Sequence, residues 1–183
     1  MALSAHLNSW SGVALRHISV GARYDVLDFR FAGLGADNRW NNPGEPTLYL
    51  AGDEGVLIAE WGRHFSTNRD PLLKPVAQER RVFRLELAFD QVLDLRKEPA
   101  WDELSLGNAP HCFLKIDVAR ATAGFIRKTT SAQGMLVPSM GFLDKLDRWC
   151  LVVFLEKLAD PKSFISSVTD KGVLQMSEVD PTT

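Results

Sequence analysis

Arg16, Arg39, Tyr49 and Glu60, with Ser139 as a further member, are the side chains of this sequence whose types could converge on one reaction. Two arginines can clamp a pyrophosphate through bidentate hydrogen bonds. A tyrosine ring can stack on a flat heterocycle. A half-buried carboxylate can hold ribose hydroxyls and stabilise a cationic sugar carbon, as carboxylates do at glycosidic bonds. Together the set suits cleavage of an N-glycosidic bond in a dinucleotide. Taken singly, each residue is equally explained by a salt bridge or a core tyrosine.

The stretch from Gly33 to Phe65 holds most of the set. Asp53 after Gly52 is a helix N-cap, and the spacing predicts a helix to about Phe65. Val56, Leu57, Trp61 and Phe65 make its buried face. Glu60 lies three and four residues after Leu57 and Val56, so it shares their side. An acid there is costly unless paired. His64, four residues on, is a surface partner for it. Upstream, Arg39-Trp40-Asn41 follows Gly33-Leu34-Gly35. Those glycines imitate a dinucleotide fingerprint. The sixth position is Asn38, however, and a Pro-Gly turn follows instead of a helix, which excludes a Rossmann site.

The remaining elements frame this stretch. Strands are predicted over Val13–Val20, Thr47–Leu50, Arg81–Phe89, Val92–Leu95 and Gly134–Pro138. Trp149–Leu155 is a continuous apolar run, the pattern of a central strand covered on both faces. Phe164–Val168 reads as a last edge strand. A helical turn is expected around Trp101–Leu106. A helix is expected from Asp117, its cap, to about Thr130, with Val118, Ala121, Thr122, Phe125 and Ile126 inward and Arg120, Arg127 and Lys128 outward. Ser66–Gln78 reads as a loop and Ser177–Thr183 as a frayed tail. The fold class is α+β, a single domain over 1–183 with its core in about 10–168. Its sheet is mixed, mostly antiparallel and flanked by helices.

Composition narrows the function. The chain has 183 residues, net charge −2, and 45% hydrophobic content, the profile of an ordinary globular domain. No basic stripe suggests direct nucleic-acid binding. The four histidines show no pairing of the kind a ribonuclease uses. Cys150 sits in an apolar run as a small hydrophobe, and Cys112 has no second pair at metal spacing, so no metal site is expected. The N-terminus lacks the pattern of a signal peptide, and the longest apolar run is too short to span a bilayer, which points to the cytoplasm and away from membranes.

Several motifs occur in order: Leu15-Arg16-His17; Gly35-Ala36 and Arg39-Trp40-Asn41; Pro43-Gly44; Leu48-Tyr49-Leu50-Ala51; Leu57-Ile58-Ala59-Glu60; and Leu136-Val137-Pro138-Ser139. From about Trp10 to Leu155 the chain resembles the RES domain family, most specifically from Gly33 to Glu60. That family supplies toxins of bacterial toxin–antitoxin pairs with antitoxins of the Xre, helix-turn-helix type. The resemblance implies a fold like the ADP-ribosyltransferase toxins and a function as a NAD+-consuming toxin. NAD+ would be substrate and no further cofactor would be needed. Arg16 and Arg39 would bind its phosphates. Tyr49 would pack on the nicotinamide or position its ribose. Glu60 would stabilise the oxocarbenium-like transition state, with Ser139 as the family serine. The antitoxin would cover the cleft or block it with its C-terminal segment, and toxin and antitoxin could assemble into an oligomer.

The chain departs from the family pattern in places. The family triplet is commonly preceded by glycine, where this chain has Asn38. Some members carry tyrosine after the first arginine, where His17 stands here. In others a functional serine lies at the start of the preceding helix, where this chain has Asp117 and Val118. The acceptor stays open: water, phosphate, or a protein in an ADP-ribosyl transfer. A reading from another class is a module that binds a nucleotide or partner without turnover.

Overall fold

The computed structural model describes residues 2–36, 38–67 and 78–176. Its frame is a pair of long antiparallel strands. β1 (Leu7–Ser19) runs beside β3 (Gln78–Asp94) from Leu7↔Leu93 to Ser19↔Arg80. β6 (Ile165–Met176) pairs antiparallel with β3 along its other side. β4 (Gly134–Pro138) joins β3 in parallel at Val92–Asp94. β5 (Trp149–Phe154) lies between β4 and β2 (Thr47–Ala51), antiparallel to both. The pair Leu15↔Ala51 links β2 back to β1. The strands β1, β2, β5, β4 and β3 therefore close into a ring, with β6 outside it. This is the expected α+β architecture with a mixed, mostly antiparallel sheet.

Strand periodicity sorts the core into layers. Leu48 and Leu50, Leu85, Leu87 and Phe89, and Leu151 and Val153 form one apolar cluster. The alternate residues Met135, Val137, Val152 and Phe154 join a second cluster with Ala119, Ala123 and Ile126 of α3 (Ile116–Thr129). β5 contributes to both, which explains its unbroken apolar run. α1 (Glu54–Thr67) packs Val56, Leu57 and Trp61 on Ala51 and Val82 as a third cluster. The short α2 (Glu98–Glu103) starts three residues before the expected helical turn, with proline in its first turn.

Other boundaries differ for identifiable reasons. β3 is one strand of 17 residues, not two. Asp90 and Gln91 do not break it, because the Gln133 side-chain carbonyl accepts both of their N–H groups, at 2.8 and 3.1 Å. β1 and β6 extend beyond their apolar runs because pairing with so long a partner satisfies the backbone of their polar ends. In α3 the cap position is Lys115, without a side-chain cap bond. Asp117 is one residue inside the helix, where its charge complements the N-terminal dipole instead. The buried face of α3 is Ala119, Thr122, Ala123, Ile126 and Arg127, one residue on from the expected set, and Phe125 is exposed.

Two arginines expected to face solvent are instead engaged. Arg127 does not face solvent: it donates to Glu156 Oε1 at 2.6 Å and Thr47 Oγ1 at 2.7 Å, with its guanidinium 4.3 Å from the Phe154 ring. Arg120 does not face solvent freely either, since it donates to the backbone carbonyls of Asn38 and Ala36. Most of the expected Ser66–Gln78 loop, the 177–183 tail, and the side chains of His64 and Phe65 lie outside the described residues. Among the described residues no helix is long and apolar enough to cross a membrane.

Candidate active site

The helix that carries Glu60 starts as its sequence requires. Asp53 Oδ1 accepts from the Val56 N–H at 3.0 Å, satisfying one of the free donors of the first turn. With Leu57 and Trp61 packed inward, Glu60 is turned to the rim of a cleft of about 680 Å³. This volume is in the usual range for small-molecule sites. Glu60 Oε1 accepts from Ser139 Oγ at 2.6 Å, from Met140 N–H at 2.8 Å and, at 3.4 Å, from Gly141 N–H. The half-buried acid is thus held by the end of β4. Among the described residues Oε2 accepts no hydrogen bond. Ser139 is fully buried, with Pro138 and Met140 on either side of it lining the cleft, so it holds Glu60 from behind.

The Arg-Trp-Asn segment is fixed from several directions. Trp40 is buried edge-on against Phe113, ring centroids 4.9 Å apart. Asn41 is buried, and its Nδ2 donates to the carbonyls of Gly33 and Asn42. The Tyr49 hydroxyl donates to Asn41 Oδ1 at 2.7 Å and accepts from the Trp40 N–H at 2.9 Å. Gly33 allows this close packing: at φ +85°, a Cβ there would lie 1.9 Å from the Glu45 carbonyl oxygen. Arg39 then reaches over the 111–114 turn, where Nη1 donates to the carbonyls of Phe113 and Leu114 at 2.8 and 2.9 Å. Burial, followed by the nearby Arg63, lowers the Arg39 pKa, while Glu60 works the other way. Burial pushes the Tyr49 phenol well above its ordinary range.

Arg16 borders the same cleft, but its terminal nitrogens donate to the carbonyls of Val26 and Asp28, and its guanidinium lies 4.9 Å from the Phe29 ring. The acceptors a half-buried strand arginine needs are therefore backbone groups of the 20–32 segment, not an acid. Burial lowers the Arg16 pKa.

A family model for the RES domain matches residues 14–170. The chain belongs to the RES domain family. A solved structure, the M. tuberculosis MbcT–MbcA toxin–antitoxin complex, contains a chain similar to this RES domain, with a TM-score of 0.62 and 21% identity. The match covers 92% of this chain and 89% of that one, and it is a likeness of fold. The curated proteins hold no significant match to this RES domain.

The cleft of this RES domain brings Arg16, Arg39, Tyr49 and Glu60 together. Three further contributors escape a reading of the sequence. Met140 supplies a backbone N–H, which no residue type announces. Arg120 holds the Arg39 loop from a position 82 residues away from Asn38. Arg63 lines the cleft, and its spacing from Glu60 was a usable signal, since residues three apart on a helix share a face. Cys150 is also on the cleft wall, half-buried, with its thiol pKa raised first by burial and then by the Glu60 charge.

Proposed function

We propose that this RES domain is the toxin of a bacterial toxin–antitoxin pair and that it consumes NAD+ by breaking the nicotinamide–ribose bond. The observation that carries the reading is Glu60: a carboxylate fixed through one oxygen that lines a cleft together with Arg39. Such an acid is preorganised for positive charge that develops on a sugar carbon. In the proposed step the bond between ribose C1′ and the nicotinamide nitrogen breaks. Its electron pair leaves with neutral nicotinamide, and Glu60 stabilises the oxocarbenium-like carbon. Water or inorganic phosphate then adds to C1′, and with water a proton is released. Arg39 binds the diphosphate. Arg16 adds charge at the cleft wall, its terminal nitrogens already serving backbone carbonyls. The Tyr49 hydroxyl is committed to Asn41 and Trp40, so its ring face is the part available to the nicotinamide end.

The similar solved structure is a toxin–antitoxin complex, which supports a protein partner for this chain. The proposed partner is an Xre-type helix-turn-helix antitoxin that closes the cleft, and the proposed place of action is the cytoplasm. Expression in a bacterial host tests the reading. Wild-type protein is expected to lower cellular NAD+ before growth stops, Glu60→Gln to do neither, and coexpression of the antitoxin to restore both. Growth arrest with NAD+ unchanged overturns it.

A further inference from the structure

We infer that Phe31 is the platform on which the adenine of the dinucleotide stacks, at the mouth of the cleft. This rests on the proposed NAD+ reading and adds the second base to it.

The aromatic side chains that line the cleft divide by depth. Trp40 and Trp61 are buried, Tyr49 is half-buried, and Phe31 is 63% exposed. Among the described residues no other large hydrophobic side chain is as exposed. A lone exposed apolar residue is ordinary on a protein surface. Phe31 is set apart by how it is held. The Arg30 guanidinium lies 5.8 Å from its ring centroid. Arg30 is itself fixed by Asp28, donating from Nε to Oδ1 at 2.9 Å and from Nη2 to Oδ2 at 2.6 Å. With 77% of the Arg30 side chain in water, that ion pair adds little stability, and what it supplies is orientation. Arg30 borders the neighbouring cavity and not the cleft, so it backs the ring from outside. The turn beneath is anchored as well: Phe29 stacks on Phe164, and Arg16 donates to the carbonyls of Val26 and Asp28.

The wall beyond Phe31 suits the rest of the ligand. Gly33 and Gly35 line it between Phe31 and Arg39 and project no side chain, which leaves room for ribose and phosphate. With nicotinamide at Glu60 and the diphosphate at Arg39, the other base falls toward the lip, where Phe31 stands. A purine presents a flat π face, and stacking on a phenyl ring needs no hydrogen-bond partner. The base in turn covers an apolar ring otherwise left in water.

The test compares wild type, Phe31→Ala and Phe31→Trp by calorimetry with two ligands, ADP-ribose and nicotinamide mononucleotide, which lacks the adenylate half. Phe31→Ala is expected to weaken ADP-ribose binding roughly five- to hundredfold, the range for loss of one base–aromatic stack. Phe31→Trp keeps an aromatic platform and should bind ADP-ribose within about twofold of wild type or tighter. Nicotinamide mononucleotide should bind all three alike. In turnover of NAD+, Phe31→Ala should raise KM and leave kcat within about twofold of wild type, as for a contact made equally in ground and transition states. ADP-ribose binding unchanged in Phe31→Ala, or an equal loss for both ligands, overturns the inference. Phe31→Trp binding as weakly as Phe31→Ala overturns it too. Wild type that binds ADP-ribose without releasing nicotinamide overturns the cleavage reading alone, and the binding comparison still decides Phe31. Wild type that binds no ADP-ribose overturns both.

Discussion

Ser139 Oγ lies 2.6 Å from Glu60 Oε1 and joins residues 79 positions apart in the chain. The serine is fully buried and the glutamate half-buried, so the bond forms away from bulk water, where it counts for more. It accounts for the polar residue at the end of β4 and for the acid on the apolar side of α1.

The first prediction follows from that pair. Ser139→Ala removes one donor and leaves the Met140 N–H on Oε1. Turnover of NAD+ is expected to fall about tenfold, with a loss of about 1 kcal/mol in stability. A chain of this size should then melt about 2–4 °C lower. Steady-state kinetics with a thermal melt check both, and full kcat in Ser139→Ala would remove Ser139 from the account.

Tyr49 is predicted to act through its hydroxyl as a fastener of the Arg39 loop. Tyr49→Phe leaves the Trp40 N–H and Asn41 Oδ1 without that partner, at a cost of about 2–3 kcal/mol. Burial holds the phenol's pKa above its unfolded value near about 10. Between the unfolded and folded values the native state retains a proton that the unfolded state has lost, so stability falls as pH rises through that window. Ultraviolet titration of wild type against Tyr49→Phe should therefore show no Tyr49 phenolate at pH 10 while the fold persists. Phenolate absorbance appearing at the ordinary pH would contradict the burial.

Arg127 carries a prediction about stability alone. It is 8% exposed and bridges Glu156 and Thr47, while Glu156 keeps 35% of its surface in water. Arg127→Ala is expected to cost about 2–3 kcal/mol, because Thr47 and the Phe154 ring lose their partner in the core. Glu156→Gln should cost under about 1 kcal/mol, since its carboxylate is partly screened by solvent. Urea denaturation of the two variants checks the order; equal losses would refute it.

Much of this architecture was legible because the signals were local. Trp149–Leu155 announced a central strand, Asp53 announced a helix start, and the phase of Glu60 placed an acid where packing alone would not. What stayed hidden depended on partners distant in sequence. Arg127 is indistinguishable from Lys128 as a surface cation until Glu156 and Thr47 are brought beside it, and with it went the phase of α3. Asp90-Gln91 resembled a break because Gln133, which satisfies both N–H groups, lies 43 and 42 residues away. In the cleft, Arg39, Tyr49 and Glu60 could be named from residue type and motif. The Met140 N–H and the Arg120 strap could not, because they act through or upon backbone atoms.

Nicotinamide release from NAD+ by the purified domain, freed of any partner, tests the central claim most directly. Wild type should release nicotinamide, and Glu60→Gln should lose about 100-fold or more in kcat with its melting temperature nearly unchanged. A folded wild type that releases none, or a Glu60→Gln variant as active as wild type, would contradict the account.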